Sequence, residues 1–149
     1  MQGTFQIRSF DELTTRELYE IVRARTEVFL MEQHIVCRDF DGVDYQSLHC
    51  FLEEDGHILA YLRAFRTAED AVQIGRVLSI PHGKGYGARL MQDAIPAIRR
   101  RMPCRTLVLH SQQHACGFYR RLGFVDASPV FLEEGIPHVT MTLELDGTF

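Results

Sequence analysis

The sequence predicts a mixed α/β fold in which helices cover both faces of one sheet. Segments with strand and helix periodicity follow in the order strand, helix, three strands, helix, strand, helix and two strands. Hydrophobic residues make up 46% of the 149-residue chain, which is enough for one core, so we expect a single domain over residues 1–149. Because strands and helices do not alternate throughout, a regular doubly wound fold fits less well.

The amino-terminal part of the chain predicts one strand and one helix. Residues 5–8 alternate apolar and polar side chains, as a half-buried strand does. A helix is expected from Thr14 or Thr15, because apolar residues then recur at helical spacing at Leu18, Ile21, Val22, Val28 and Phe29. Residues 34–48 show no period, so we expect a loop or distorted helix that flanks a cleft.

A group of strands follows this segment. Residues 49–53 and 58–65 are strand-like, and the turn residues 54–56 between them predict a hairpin. Another strand, over residues 72–80, runs into Pro81 and then into a glycine-rich segment. The glycine-rich segment therefore lies at the end of a strand.

A second helix is expected from Tyr86. Its inner face is formed by the apolar residues Leu90, Met91, Ala94, Ile95 and Ile98. Pro96 lies within this pattern, where a proline removes one backbone donor and crowds the carbonyl group of the preceding turn. We therefore predict a kink or an early stop in this helix.

The carboxy-terminal part predicts a strand, a short helix and a strand pair. The strand covers residues 106–110, and the helix covers residues 113–122. Gly123 follows the helix directly, in the position where glycine adopts the left-handed conformation without strain. The final strands are expected over residues 130–133 and 138–145.

The glycine-rich segment predicts an anion-binding site. Glycines at positions 83, 85 and 87 stand between the strand end at Ile80 and the helix start at Tyr86. Unpaired N–H groups and a partial positive charge collect at a helix N-terminus, and glycines let ligand oxygens approach the backbone. The same spacing is also typical of a flexible connection. A dinucleotide-binding fingerprint fits poorly, because the third glycine comes one residue early and the next strand ends in His110 instead of a carboxylate.

Charge and cysteine content exclude several classes of function. The formal net charge is −4 and no basic stripe follows a whole element, so nucleic acid is a poor candidate partner. The chain shows neither a membrane-length apolar segment nor a signal peptide, which favours a cytoplasmic protein without a membrane partner. The scattered cysteines predict reduced thiols and no zinc site: Cys37, Cys50, Cys104 and Cys116.

The residues of the glycine-rich turn resemble a family motif. The segment from His82 to Gly87 is similar to motif A of the GNAT superfamily of N-acetyltransferases, Arg/Gln-x-x-Gly-x-Gly/Ala, with His82 in the Arg/Gln place. Residues 115–124 resemble a second motif of that superfamily, Ala-x-x-Phe-Tyr-x-x-x-Gly-Phe. Further segments narrow the resemblance to the ElaA-like branch: residues 25–33, 41–44 and 74–77, Gln112 with His114, and residues 134–138.

The resemblance implies a GNAT fold and acetyl-CoA as co-substrate, without a metal. In that fold, a mixed, mostly antiparallel twisted sheet splits into a V between its two central strands, and acetyl-CoA lies in the split. The strand residues contact the pantetheine amides and the turn holds the pyrophosphate. The implied cofactor-binding residues are Val77, Leu78, Ser79, His82, Gly83, Lys84, Gly85, Tyr86, Gly87 and Ala88.

The resemblance also assigns Tyr119 as the general acid that protonates the departing thiolate. In the alternative interpretation, Phe118 and Tyr119 only pack their helix on the sheet. His138 is a candidate base, because a histidine titrates near neutral pH, but a packing histidine is the competing interpretation. His110 and His114 lack a third metal ligand, and Cys116 carries no sign of activation, so direct transfer in a ternary complex is expected.

Arg25 and Glu32 are candidate functional residues from the sequence pattern alone, independently of the family resemblance. They stand seven residues apart on the apolar stripe of the first helix, and buried ions must be paired or face a ligand. We therefore consider Arg25 and Glu32 as substrate-binding residues together with Arg76, and Glu32 as a second candidate base. An ion pair that ties the helix to residues 41–44 is the alternative.

These residues predict an N-acetyltransferase that acetylates a primary amine of a small molecule or peptide in a direct attack. The acidic chain favours a cationic acceptor. A different possibility is a non-catalytic acetyl-CoA sensor that regulates a protein partner, since a phosphate turn alone guarantees binding and not turnover. An acyl-homoserine-lactone-type synthase shares the implied fold, but those chains are longer. A homodimer is left open.

Overall fold

A computed structural model describes residues 3–145. Its strands form one eight-stranded sheet in the order β1-β2-β3-β4-β5-β8-β6, with β7 also paired to β8. Every pair is antiparallel except β4 with β5, as expected for a mixed, mostly antiparallel sheet. The elements are β1 Thr4–Ser9, α1 Thr15–Arg25, β2 Leu48–Glu54, β3 His57–Ala68, β4 Ala71–Ser79, α2 Tyr86–Arg101, β5 Thr106–Gln112, α3 Cys116–Arg121, β6 Val125–Asp126, β7 Phe131–Glu133 and β8 Ile136–Glu144.

Helices cover both faces of the sheet, as predicted. Side chains alternate between the faces along each strand, so Phe51 and Cys50 of β2 point to opposite sides. Phe51 packs in a core cluster with Ile21 of α1. Cys50 packs in the other cluster with Leu90 of α2. The two apolar clusters hold one helix on each face of the same strands.

A capping box starts α1. The amide of Glu17 donates to Oγ1 of Thr14 at 3.0 Å, and Oε1 of Glu17 accepts from the amide of Thr14 at 2.9 Å. The predicted start at Thr14 or Thr15 is confirmed. After α1 the winding changes to a π-helix over Thr26–Glu32, in which the amide of Gln33 donates to the carbonyl of Val28, five residues earlier, at 3.0 Å.

Of the kink or early stop predicted at Pro96, the early stop is wrong. The helix continues to Arg101 with Pro96 inside it. Ala97 and Ile98, which follow the proline, are 5% and 0% exposed. Burial of these apolar side chains against the sheet stabilises the last turns and outweighs the lost backbone hydrogen bond.

The carboxy-terminal part differs in detail from the expectation. The helix predicted over residues 113–122 begins as a 3-10 turn at Gln113–Ala115 and continues as α3. Gly123 has a φ of 102°, as its position after the helix requires. The two-residue strand β6 was not predicted, because two residues carry no periodicity.

Buried arginines hold the irregular segment between α1 and β2. Arg25 is 2% exposed, and its Nη1 lies 2.6 Å from Oδ1 of Asp44 and its Nε 3.2 Å from Oδ2 of Asp39. Arg63 of β3 is 3% exposed and its Nη1 donates to Oδ1 of Asp41 at 2.8 Å and to Oδ1 of Asp44 at 3.1 Å. The alternative in which Arg25 ties the helix to residues 41–44 matches these contacts.

His49 of β2 supports the same segment. Its Nε2 lies 3.0 Å from the carbonyl oxygen of Asp44 and its Nδ1 lies 2.7 Å from the hydroxyl of Tyr61. A carbonyl only accepts, so Nε2 carries the proton and Nδ1 accepts from Tyr61. Burial lowers the pKa of His49 below its ordinary value. The ring is thus held neutral in a satisfied network.

Removing the shared carboxylate of this network will destabilise the fold. In Asp44→Asn, the guanidinium groups of Arg25 and Arg63 both lose a charged partner while they stay buried. We expect the free energy of unfolding to fall by about 3 kcal/mol. Urea denaturation measures it, with Asp126→Asn, which opens an exposed pair with Arg120, as the control. Equal losses in the two variants would contradict the importance of the buried network.

Stability will also fall with acidity in two stages. The pKa of His49 is lowered in the fold, so its contribution is complete above the ordinary histidine pKa of about 6.5 and is lost as the pH falls toward the lower folded value. Hydrogen bonding from Arg63 lowers the pKa of Asp41. Burial alone acts to raise the pKa of Asp44, but Arg25 and Arg63 outweigh it and the net shift is downward. These carboxylates therefore contribute above about pH 4 and lose that contribution below it.

Urea unfolding at a series of pH values measures both stages. His49→Gln is expected to remove part of the decline just below pH 6.5 and to leave the decline below about pH 4. A variant whose pH dependence equals that of the unsubstituted chain in both ranges would show that His49 has no part in it.

Candidate functional site

The sheet splits where β4 and β5 stop pairing. Their parallel register runs from Ala71 opposite Thr106 to Ile74 opposite Leu109. Beyond these residues β4 pairs, within residues 3–145, with β3 alone, and β5 continues beside β8 up to Gln112 opposite His138. The strand edge of β4 that faces the split therefore has N–H and C=O groups without a partner strand.

A bulge in β4 accompanies the split. Tyr61 pairs with Leu78 but Arg63 pairs with Gly75, so one residue of β3 faces two of β4. The extra residue is Arg76 or its neighbour, and Arg76 has a φ of 56°. Such a bulge bends the strand and increases its local twist. The bend turns the end of β4 away from β5.

The split contains a cavity of about 220 Å³. Residues of β4, β5, β8, α3 and the segment after α1 contribute to its wall. The lining includes Phe29, Gln33, Ile35, Cys37, Asp39, Gly75, Arg76, Val77, His110, Ser111, Gln112, His114, Tyr119, Glu133, Glu134 and His138. Gln112 donates from Nε2 to Oε1 of Gln33 at 3.0 Å and so links β5 to the segment after α1.

The glycine-rich turn has the predicted position between β4 and α2. Gly83 and Gly85 each have a φ of 77°, and Gly85 is the N-cap of α2 without any capping side chain. A Cβ atom placed on either glycine would meet no atom within 4 Å, so the turn is open on that side. The first-turn amides of a helix have no partner within the helix and attract anions.

Gly87 has a different part in the turn. A Cβ atom at this position would meet the Phe118 ring at 3.6 Å, which is ordinary van der Waals contact. The first turn of α2 therefore lies directly on α3. This contact connects the glycine-rich turn with the helix that carries Tyr119.

Three predicted residues belong to the end of β4. Val77 lines the cavity. Leu78 is 4% exposed and packs with the cluster of α1, and Ser79 pairs with Ala60 of β3. The side chain of Leu78 is thus occupied by the core, and the backbone groups of this strand end on the side of the split are open to a ligand.

Glu32 differs from the expectation. Its side chain is 43% exposed and does not line the cavity, so the predicted burial on the apolar stripe is wrong. The reason is the π-helix, whose wider turns shift a residue seven positions after Arg25 off the face that an α-helix would give it. Oε1 of Glu32 lies 2.8 Å from Nε2 of His82, at the start of the glycine-rich turn.

The predicted substrate residues Arg25 and Arg76 occupy different places. Arg25 is buried in the network with Asp39 and Asp44 and is absent from the lining of the cavity in the split. Arg76 lines the cavity, and its Nε lies 2.6 Å from Oδ1 of Asp39. Of the two, only Arg76 has contact with the cavity.

Tyr119 lies in the wall of the cavity. The residue is 8% exposed, and its ring packs edge to face with Phe118 and Phe124. Burial raises the pKa of the Tyr119 phenol well above its ordinary value. The phenol therefore keeps its proton at neutral pH and is able to donate a hydrogen bond into the cavity.

His138 also lies in the wall, with a side-chain exposure of 8%. Its Nδ1 is 2.7 Å from the carbonyl oxygen of Ile136, and its Nε2 is 3.6 Å from Oε2 of Glu133. The other carboxylate oxygen, Oε1, is 2.9 Å from Nδ1 of His110. Glu133 thus stands between two histidines of neighbouring strands.

The sequence reading missed Glu133 and Arg63. In the β7–β8 hairpin, Phe131 pairs with His138 and Glu133 with Ile136, so Glu133 and His138 share a face of the sheet. That register was a usable signal, because a turn at Glu134-Gly135 determines it. Arg63 could have been recognised, less clearly, as a charged residue inside an otherwise apolar strand.

The four cysteines are free thiols, as predicted. Cys37 lines the cavity, but burial raises its pKa, so it is protonated at neutral pH. Among residues 3–145, no group of three His, Cys, Asp or Glu side chains is arranged to hold a metal ion. Within the same range, none of the helices has the length and apolar character to cross a membrane.

Comparison with known proteins supports the resemblance found in the motifs. Residues 18–145 match the acetyltransferase (GNAT) domain. A UPF0039 protein of Schizosaccharomyces pombe is 38% identical over 145 residues, covering 95% of this chain and 97% of that protein.

Two solved structures share the fold. The crystal structure of an acyl-CoA N-acyltransferase from Pseudomonas aeruginosa has a TM-score of 0.88 and 36% identity, covering 95% of this chain and 99% of that chain. The crystal structure of Escherichia coli ElaA has a TM-score of 0.89 and 28% identity, covering 96% of this chain and 100% of that chain. The predicted fold and the resemblance to the ElaA-like branch are confirmed.

Proposed function

Because the chain belongs to the GNAT family of acetyltransferases, we propose that it transfers the acetyl group of acetyl-CoA to a primary amine of a small molecule or peptide. One observation carries this proposal: the end of β4 and Tyr119 line the same cavity, and the helix of Tyr119 contacts the first turn of the glycine-rich helix N-terminus. Acyl transfer needs these features together, since the thioester must be held, aligned and separated from water.

The turn from His82 to Ala88 fits a pyrophosphate. Gly83 and Gly85 have open space where a side chain would otherwise stand, and the amides at the start of α2 carry the partial positive charge of the helix. Lys84 is exposed in the same turn and adds a full positive charge. Backbone amides, together with this lysine, would hold the anionic end of acetyl-CoA.

The edge of β4 from Gly75 to Ser79 fits the pantetheine arm. Pairing with β5 has ended, so the backbone groups on this edge are free to bond to the amides of an extended ligand, as an added strand would. Val77 and Tyr119 both line the cavity. The thioester would then lie within the cavity, between β4 and α3.

Tyr119 is the hydrogen-bond donor and general acid for the departing sulfur in this proposal. A protonated phenol, held in an apolar wall by Phe118 and Phe124, donates to the charge that develops on the sulfur as the carbon–sulfur bond breaks. His138 is the better placed of the two candidate bases, because it lines the cavity and Glu32 does not. The contact of Glu32 with His82 connects it to the glycine-rich turn instead.

Thiol release from acetyl-CoA with a panel of primary amines tests the activity, and Tyr119→Phe tests the role of the phenol. We expect amine-dependent release by the unsubstituted protein and a kcat about 100-fold lower for the variant, with unchanged affinity for acetyl-CoA. Tyr19→Phe is the control, because Tyr19 is 66% exposed and outside the cavity. Tight acetyl-CoA binding without release for any amine would favour the sensor.

Calorimetry with coenzyme A tests the glycine-rich turn. In Gly85→Ala, the added Cβ projects into the open side of the turn and the residue must keep a φ of 77°, so we expect at least about tenfold weaker binding. Gly135→Ala is the matched control, because Gly135 has a φ of 73° and open space but lies in the β7–β8 turn. Equal affinities of the two variants would place the pyrophosphate elsewhere.

A further inference from the structure

Glu133 has an arrangement that the proposed roles of Tyr119 and His138 leave unexplained. It ends β7, lines the cavity, and presents its two carboxylate oxygens to two different histidines. Oε1 lies 2.9 Å from Nδ1 of His110, within hydrogen-bonding distance. Oε2 lies 3.6 Å from Nε2 of His138, which is too long for a direct hydrogen bond. Of the two carboxylate oxygens, Oε1 thus has a histidine within hydrogen-bonding distance and Oε2 does not.

The tautomer of His138 explains the long distance. Its Nδ1 is 2.7 Å from the carbonyl oxygen of Ile136, and a carbonyl only accepts, so Nδ1 carries the proton of the neutral ring. Nε2 then presents a lone pair toward Oε2 of Glu133. Two hydrogen-bond acceptors thus face each other at 3.6 Å in the cavity wall, where one donor group between them can bond to both.

The surrounding charges also favour a cationic donor at this place. Asp39 and Arg76, which line the same cavity, are 2.6 Å apart and belong to the network of Arg25, Arg63, Asp41 and Asp44, in which three arginines balance three aspartates. The ion pairs of Glu133 within residues 3–145 are with histidines, which are uncharged unless protonated. When those rings are neutral, the Glu133 carboxylate, in a side chain that is 44% exposed, is therefore a negative charge without a cationic side-chain partner among the described residues.

We infer that Oε2 of Glu133 and Nε2 of His138 form the cleft that binds the ammonium group of the acceptor. This inference rests on the proposed N-acetyltransferase activity and names the class of acceptor: an aliphatic primary amine that arrives protonated. An ammonium group has three N–H donors, enough to satisfy both facing acceptors. Aliphatic amines have pKa values near that of lysine, about 10.4, so they carry the required charge at neutral pH.

The protons balance in the resulting transfer. The ammonium group keeps one hydrogen bond to Glu133 and gives a proton to Nε2 of His138. The ring becomes an imidazolium that donates hydrogen bonds to the carbonyl of Ile136 and to Glu133. The freed nitrogen lone pair forms the carbon–nitrogen bond, and the carbon–sulfur bond breaks. Tyr119 gives its proton to the sulfur and regains one from the acylated nitrogen. The products are the amide and the free thiol, and the proton on His138 leaves to solvent.

Glu133→Gln tests the cleft, since it keeps the size of the side chain and removes its charge. With acetyl-CoA saturating, we expect the KM for n-butylamine to rise at least about tenfold, which corresponds to the loss of one charge-assisted hydrogen bond. The KM for aniline, an amine that is uncharged at neutral pH, is expected to change little. Glu54→Gln, at the end of β2 and outside the cavity, is the control for a lost surface carboxylate.

Direct binding keeps the test independent of turnover. Addition of n-butylammonium in the presence of coenzyme A is expected to shift the ¹⁵N resonance of His138 Nε2 in the unsubstituted protein and not in Glu133→Gln. A thermal melt and calorimetry with coenzyme A check that the variant is folded and binds the cofactor.

The outcomes separate the two proposals. A shift without any acetylation supports the cleft and overturns the proposed transferase function. An unchanged KM for n-butylamine in Glu133→Gln, or no shift of His138 in the unsubstituted protein, overturns the cleft even if amines are acetylated.

Discussion

The end of the β4–β5 pairing at Ile74 and Leu109 is the constraint on which the rest of the structure depends. A strand inside a sheet has both edges satisfied, whereas β4 beyond this point pairs with β3 and with no other strand of the described part of the chain. The bulge near Arg76 turns the strand away, although a left-handed conformation at a residue with a side chain costs about 1–2 kcal/mol. The ion pair of Arg76 with Asp39 helps to offset this strain. One residue therefore both opens the split and ties down its wall.

The arginine–aspartate network determines which charges the cavity retains. Arg25, Arg63 and Arg76 balance Asp39, Asp41 and Asp44 in one connected network, of which Arg76 and Asp39 also line the cavity. These charges satisfy one another and fix the irregular segment that carries Asp39. On the side of the cavity formed by β5, β7 and β8, the ion-pair partners of Glu133 among residues 3–145 are histidines and not arginines. The negative charge that the cavity retains is thus the carboxylate of Glu133, on the side of the β7–β8 hairpin.

Sequence patterns predicted the features whose causes are local. The start of α1 depends on a capping box within four residues, and the glycine-rich turn depends on consecutive backbone conformations, so both were recognised. Glu32 was wrongly expected to be buried, because the pattern assumed α-helical winding where the chain forms a π-helix. Glu133 was missed because its contact with His110 depends on the pairing of β5 with β8, and the bulge at Arg76 because it depends on the pairing of β3 with β4. Nonlocal pairing is the information that one-dimensional periodicity lacks.

The buried environment of Tyr119 limits how protons can move in the proposed reaction. Burial raises the pKa of Tyr119, whereas the thiol that it would protonate has an ordinary pKa of about 8.5. Complete transfer of the phenolic proton to the thiolate is therefore uphill, unless the phenol regains a proton in the same step. The acylated nitrogen is the source of that proton, so amine, sulfur and phenol must meet in the cavity at once. This requirement favours direct transfer in a ternary complex over an acyl-cysteine route, and the raised pKa of Cys37 argues in the same direction, because a protonated thiol is a poor nucleophile.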